Sequence, residues 1–121
     1  MTPPKAPNGL EKAGAALWQS LTGAYDLEPW EATVLESACR QADDVARLEV
    51  VIARDGMVST GSAGQPRLAQ AVTEVRQGRL ALARLLDTLR LPAEDEAAGR
   101  TGRQVRAQRA ARARWGSGGN A

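Results

Sequence analysis

The sequence predicts an all-α fold: a short N-terminal helix packed on a long antiparallel helical hairpin, with a small β-turn or hairpin loop at its tip and a flexible basic C-terminal tail. Apolar residues recur at spacings of three and four through separate stretches of the chain, and glycine and proline fall between those stretches. The two longest stretches are alike in length and joined by roughly ten residues, a connection that suits antiparallel neighbours.

Taken in order, "MTPPKAPN" reads as a flexible arm over residues 1–8. Asn8, with Glu11 three residues later, approximates a capping box. Leu10, Ala13, Leu17, Trp18 and Leu21 then follow at helical spacing until Gly23. Pro29 suits the first turn of a second helix, whose face runs Val34, Leu35, Ala38, Ala42, Val45, Leu48 and Ile52 before Asp55-Gly56 stops it. At 1.5 Å per residue this helix is about 40 Å long. In "MVSTGSAGQP" the β-formers Met57, Val58 and Thr60 stand among glycines, so the stretch reads as an ordered loop or tiny hairpin. Pro66 is expected to open the third helix, whose stripe is Leu68, Val72, Val75, Leu82, Leu86 and Leu89, with coiled-coil-like alternation of fours and threes and Arg79 in place of one apolar residue. Pro92 ends it. Trp18 is expected in the core, and Trp30, next to Pro29, is expected to close that core at the start of the second helix.

Both long helices carry apolar residues away from their main stripe: Val50 and Val51 on one, Leu80 and Leu91 on the other. A single hairpin cannot bury two faces, so either the first helix or neighbouring subunits must cover the second. With so few residues available, residues 9–92 are expected to form a helical oligomerisation domain in which Val50, Val51, Leu68, Val72, Val75, Leu80, Leu82, Leu86 and Leu89 supply core or subunit contacts.

Charge is distributed unevenly along the chain. Residues 1–99 hold ten basic and fourteen acidic side chains, a net charge of −4, whereas residues 100–121 hold six arginines and no acid. An acidic linker, "AEDEAAG" at 93–99, separates the two. The arginines at Arg100, Arg103, Arg106, Arg109, Arg112 and Arg114 step around a helix and leave no apolar stripe for packing. Such a segment suits phosphates or a carboxylate-rich surface, and Trp115 after it suits anchoring in a partner's groove or stacking on a base.

Several chemistries lack their parts. There is no histidine and only one cysteine, which excludes thiolate zinc sites and Cys/His catalysis. Cys39 lies in an apolar-periodic stretch and is expected to be a buried, inert thiol. Asp43 and Asp44 are adjacent and do not converge on one helix face, so a solvated face is expected there. "TGSAGQPR" lacks the Gly-Lys-Ser/Thr ending of a phosphate-binding loop. No stretch reads as a signal peptide or membrane span, and the expectation is a soluble, cytoplasmic, non-enzymatic protein with no cofactor or metal and no membrane partner.

Across residues 9–116 the chain resembles the small terminase subunits of tailed bacteriophages. The resemblance is carried by the order of "GLEKAGAALWQSLTGAYDLEP", "ESACRQADDVARLE", "DGMVSTGSAGQPR", "LARLLDTLRLP" and "RAQRAARARWG". It implies a ring-shaped homo-oligomer in the host cell cytoplasm that binds double-stranded viral DNA and works with a separate large terminase subunit holding the ATPase and nuclease. Gln65-Pro66 stands where members of the family have Asn-Pro. Some members bind DNA through an N-terminal helix-turn-helix, but here Asp26, Glu28, Glu31 and Glu36 crowd the start of the second helix. Acids repel phosphate, so the DNA contacts are expected on the tail arginines, with Lys5 and Lys12 as helpers. The alternatives are a protein-interaction module whose basic tail docks an acidic partner, and a small transcriptional regulator.

Overall fold

The computed structural model describes residues 4–92. Its elements are α1 (Lys12–Ala24), α2 (Pro29–Asp55), β1 (Val58–Thr60), β2 (Pro66–Leu68) and α3 (Gln70–Leu89). Helices α2 and α3 form the expected hairpin, with the two short strands at its tip, and α1 packs on α2.

Helix α1 does not begin with the box expected from Asn8 and Glu11. Asn8 lies in a turn with Gly9, which adopts φ 88°, and Glu11 becomes the N-cap without a side-chain cap bond of its own. The missing acceptors come from α2. Asp43 accepts the backbone N–H of Glu11 at Oδ2 and that of Gly14 at Oδ1, each at 2.7 Å. One carboxylate thus makes both bonds of a capping box from 29 to 32 residues away. Gly14 permits the approach: a Cβ there would stand 2.5 Å from Asp43 Oδ2 and 2.6 Å from the Cys39 carbonyl oxygen. Asp43 is therefore no part of a solvated face; only 3% of it is exposed, while its neighbour Asp44 is exposed and pairs with Arg47.

Helix α2 starts and stops where local chemistry places it. Pro29 fills its first position, Glu28 and Glu31 form a reciprocal capping box, and the Glu28 N–H donates to Glu31 Oε1 at 2.7 Å. Acids in this first turn also complement the helix dipole. Gly56, at φ 85°, closes the other end by donating its N–H to the Ile52 carbonyl.

Pro66 does not open the third helix. It lies in β2 opposite Thr60, in an antiparallel register that also pairs Ser59 with Arg67 and Val58 with Leu68. Proline at the first residue of a strand sacrifices no interior ladder bond. Leu68 consequently leaves the helical stripe and is 45% exposed. The helix begins four residues later at Gln70, and Val72, Val75 and Leu89 are buried as expected. Between them the contact position is Gly78, not Arg79. A Cβ on Gly78 would lie 2.8 Å from Val45 Cγ2, so the glycine sets the close approach of α2 and α3, and Arg79 turns outward to pair with Glu49 at 2.7 Å.

The core sits at the α1 end of the hairpin. Trp18, Leu35, Cys39 and Leu89 are buried together, with Leu10, Leu17, Leu21 and Leu91 packed against them. Leu91 joins this core because Arg90 adopts the left-handed conformation and ends the helix. Trp18 donates from Nε1 to the Pro4 carbonyl, and the Tyr25 hydroxyl donates to the Pro92 carbonyl at 2.6 Å, which ties both ends of the described chain to the core. Trp30 does not close the core, being 55% exposed. It lies five residues before Leu35, about 140° around the helix from the buried face. Tyr25, five residues earlier, is buried.

Leu82 and Leu86 are partly buried on α3. Leu82→Asp or Leu86→Asp is expected to destabilise the hairpin by about 2–3 kcal/mol, because each places a charge in a largely apolar contact. Thermal denaturation followed by circular dichroism checks this, and unchanged stability in both variants contradicts the placement of the face.

Candidate nucleic-acid interface

The basic tail dominates the sequence-based candidate site, and it falls beyond the described chain. Arg100, Arg103, Arg106, Arg109, Arg112, Arg114 and Trp115 all lie outside the described residues. The two helper lysines are described and exposed: Lys5 in the N-terminal arm and Lys12 at the first position of α1. Lys12 belongs to α1, which packs on α2, and Lys5 to the arm that precedes it.

The acids at the start of α2 have structural duties. Glu28 and Glu31 cap the helix, Glu31 is buried, and Glu36 pairs with Arg40 at 2.8 Å. This end of the hairpin is an acidic capping region, as its composition implies, and it offers phosphate no attraction.

Three of the four arginines on α1 to α3 that hold ion pairs belong to α2. Arg40 pairs with Glu36, Arg47 with Glu11 and Asp44, Arg54 with Asp55, and on α3 Arg79 pairs with Glu49. The hydrogen bond and charge of Glu11 raise the Arg47 pKa further above its ordinary value, and the Arg54 guanidinium holds Asp55 below the usual carboxylate range. These positive charges are answered within the fold. By contrast Arg67, Arg76, Arg84 and Arg90 are exposed and make no ion pair among the described residues. All four lie on β2, on α3 or at its C-cap, a grouping that sequence reasoning missed by treating residues 1–99 as one acidic body. The available signal was local charge: residues 11–55 carry four basic and nine acidic side chains, whereas residues 67–90 carry five arginines against Glu74 and Asp87.

The predicted oligomerisation residues separate into two groups. Val72, Val75 and Leu89 are buried within the protomer, and Val51, Leu82 and Leu86 are partly buried. Val50 is 65% exposed and Leu80 54%, and Leu68 joins them at the hairpin tip with Met57 and Val58. Val50 continues the strip of α2 that faces α1. That strip runs Leu35, Cys39, Asp43, Ala46 and Val50 at helical spacing, and α1 begins level with Asp43, so no element among the described residues covers its distal part. On the flank between the helices, Ile52, Ala53, Met57, Val72 and Val75 line a groove of about 480 Å³, rimmed by Glu49, Arg76 and Arg79.

Cys39 is fully buried, and its thiol is pushed up to about 11, chiefly by burial and then by the charges of Asp43 and Glu36. A thiol held protonated in this way is a poor nucleophile and metal ligand. No group of three or more His, Cys, Asp or Glu is arranged to hold a metal ion among the described residues, and no helix among them is long and apolar enough to cross a membrane. Comparison with known proteins finds no match to any family model, curated protein or solved structure.

Proposed function

We propose that this chain is a small-terminase-type adaptor: a non-enzymatic, ring-like α-helical homo-oligomer that engages double-stranded viral DNA and recruits or regulates a large motor and nuclease subunit during genome packaging. The observation that carries the reading is the concentration of exposed apolar side chains on the half of the hairpin that α1 does not reach: Val50, Met57, Val58 and Leu68. A second copy of the chain supplies a cover of the right chemistry.

Magnitudes favour self-association. Full burial of such a side chain is worth about 1.5–3 kcal/mol, and these are already partly covered, so each adds roughly 1 kcal/mol at a subunit contact. Four from each of two copies supply about 8 kcal/mol, within the roughly 4–15 kcal/mol that association costs. The surfaces also differ in shape, since Val50 stands on a convex helix edge while Met57, Val72 and Val75 line a groove. Unlike surfaces meet head to tail, and head-to-tail contacts close into a ring when the rotation between subunits closes and run on as a filament when it does not.

Sedimentation of the full chain at micromolar concentration is expected to show one closed species larger than a dimer. A well-behaved monomer overturns the ring and, with it, the adaptor reading.

A further inference from the structure

We infer that the outward face of β2 and α3, carrying Arg67, Arg76 and Arg84, is a second phosphate-binding surface for double-stranded DNA, built into the folded body and separate from the arginine-rich tail. This rests on the DNA-binding reading above and assigns it a structured site.

The argument starts from which charges the fold has already neutralised. Of the eight arginines in the described residues, Arg40, Arg47, Arg54 and Arg79 each have a carboxylate within 2.8 Å, and Arg67, Arg76, Arg84 and Arg90 have none within ion-pair distance. The pairing follows geometry. Acids are plentiful on α2, and Arg79 reaches Glu49 there, whereas Arg76, on the rim of the same groove, and Arg84 have no carboxylate within ion-pair distance among the described residues. Arg76 and Arg84 are eight residues apart on the exposed side of α3, about 12 Å along the axis at 1.5 Å per residue. Arg67 extends the row onto β2, where Ser59, Thr60, Gln70 and Thr73, with Glu74 and Leu68, border a hollow beside it. Arginine with hydroxyl and amide side chains is the usual set for phosphate and sugar contacts.

Charge also selects the occupant. The residues of α1 and α2 are net acidic and those from 67 to 90 net basic, so the body is electrostatically two-sided and an approaching polyanion is steered to α3. A second copy fits this face poorly. An antiparallel contact between two α3 helices centred on Leu80 sets Arg76 against Arg84 of the other copy, so like charges meet. Leu80 alone does not argue for a protein contact, because single exposed aliphatic residues are ordinary on protein surfaces.

The test uses the full chain, a fluorescein-labelled DNA duplex and anisotropy titrations from about 50 to 200 mM salt. In the variant R67Q/R76Q/R84Q the slope of log affinity against log salt is expected to shrink by about 2 to 3, since each phosphate contact contributes about 0.9. The control R40Q/R54Q, which removes arginines already paired on α2, is expected to shift it by less than one contact's worth. A second variant, R76Q/R84Q, guards against disturbance of the small sheet and is expected to lose about two contacts. Duplex binding by the wild type with an unchanged slope in both α3 variants overturns this inference and leaves the adaptor reading intact. Altered sedimentation of the variants with unchanged duplex binding also overturns it, making the face a subunit contact. Absence of duplex binding by the wild type overturns the DNA-binding reading itself.

Discussion

Asp43→Ala is expected to release α1 from the hairpin and lower stability by about 2–5 kcal/mol, because the backbone N–H groups of Glu11 and Gly14 lose their acceptor and each unsatisfied donor costs about 1–3 kcal/mol. The Arg40 guanidinium still donates to the Asn8 carbonyl and Leu10 still packs on the core, but neither gives those two N–H groups an acceptor. The Arg47–Glu11 pair alongside is exposed on both partners, and such pairs contribute little. Asp43→Asn keeps one acceptor oxygen and is expected to fall between alanine and wild type. Gly14→Ala reaches the same end by crowding, since its Cβ would meet Asp43 Oδ2 at 2.5 Å and the Cys39 carbonyl at 2.6 Å. Two readouts check the prediction together: the thermal midpoint, and the reactivity of Cys39 toward a thiol reagent at neutral pH. Cys39 lies under α1, and its thiol is held protonated by burial and secondarily by Asp43, so alanine at 43 removes both restraints. An unchanged midpoint together with an unreactive thiol contradicts this account of α1.

The parts of the fold legible in the sequence are those written in adjacent residues. Pro29 and Asp55-Gly56 mark both ends of α2, and the glycines around Val58–Thr60 announce the hairpin tip. The apolar spacing around Leu35 and Cys39 places a buried face that includes the thiol. The misread parts depend on distant partners. Asp43 reads as a surface aspartate until α1 is laid over it, and the gap in the stripe assigned to Arg79 is filled by Gly78 once Val45 is brought beside it. Pro66 is an ordinary helix opener by local rules, and its pairing with Thr60 across the turn overrides them. Trp30 shows the limit of proximity in sequence, because a residue beside a core position points elsewhere on a helix. The candidate site follows the same division. The arginine run is visible as composition, whereas the distinction between paired Arg79 and unpaired Arg76 needs the position of Glu49, 30 residues before Arg79.

Removal of residues 100–121 is expected to leave the helical body folded while lowering its affinity for DNA and flattening the salt dependence. The core made by Trp18, Leu35, Cys39 and Leu89 is complete without the tail, and the tail sequence has no apolar face to add to it. Six arginines neutralising about six phosphates account for a slope near −5 when all engage, and this share is lost on truncation. Because arginines spaced around the chain present no fixed geometry to base edges, the lost affinity is expected to be nearly independent of DNA sequence. The measurement that tests the central claim most directly is a DNA titration of full-length and truncated protein at several salt concentrations, run beside capture of the large subunit. The account predicts weaker binding and a slope shallower by up to about 5 for the truncated chain. Undiminished affinity and slope, with capture of the large subunit abolished, contradict it and make the tail a docking peptide for the motor.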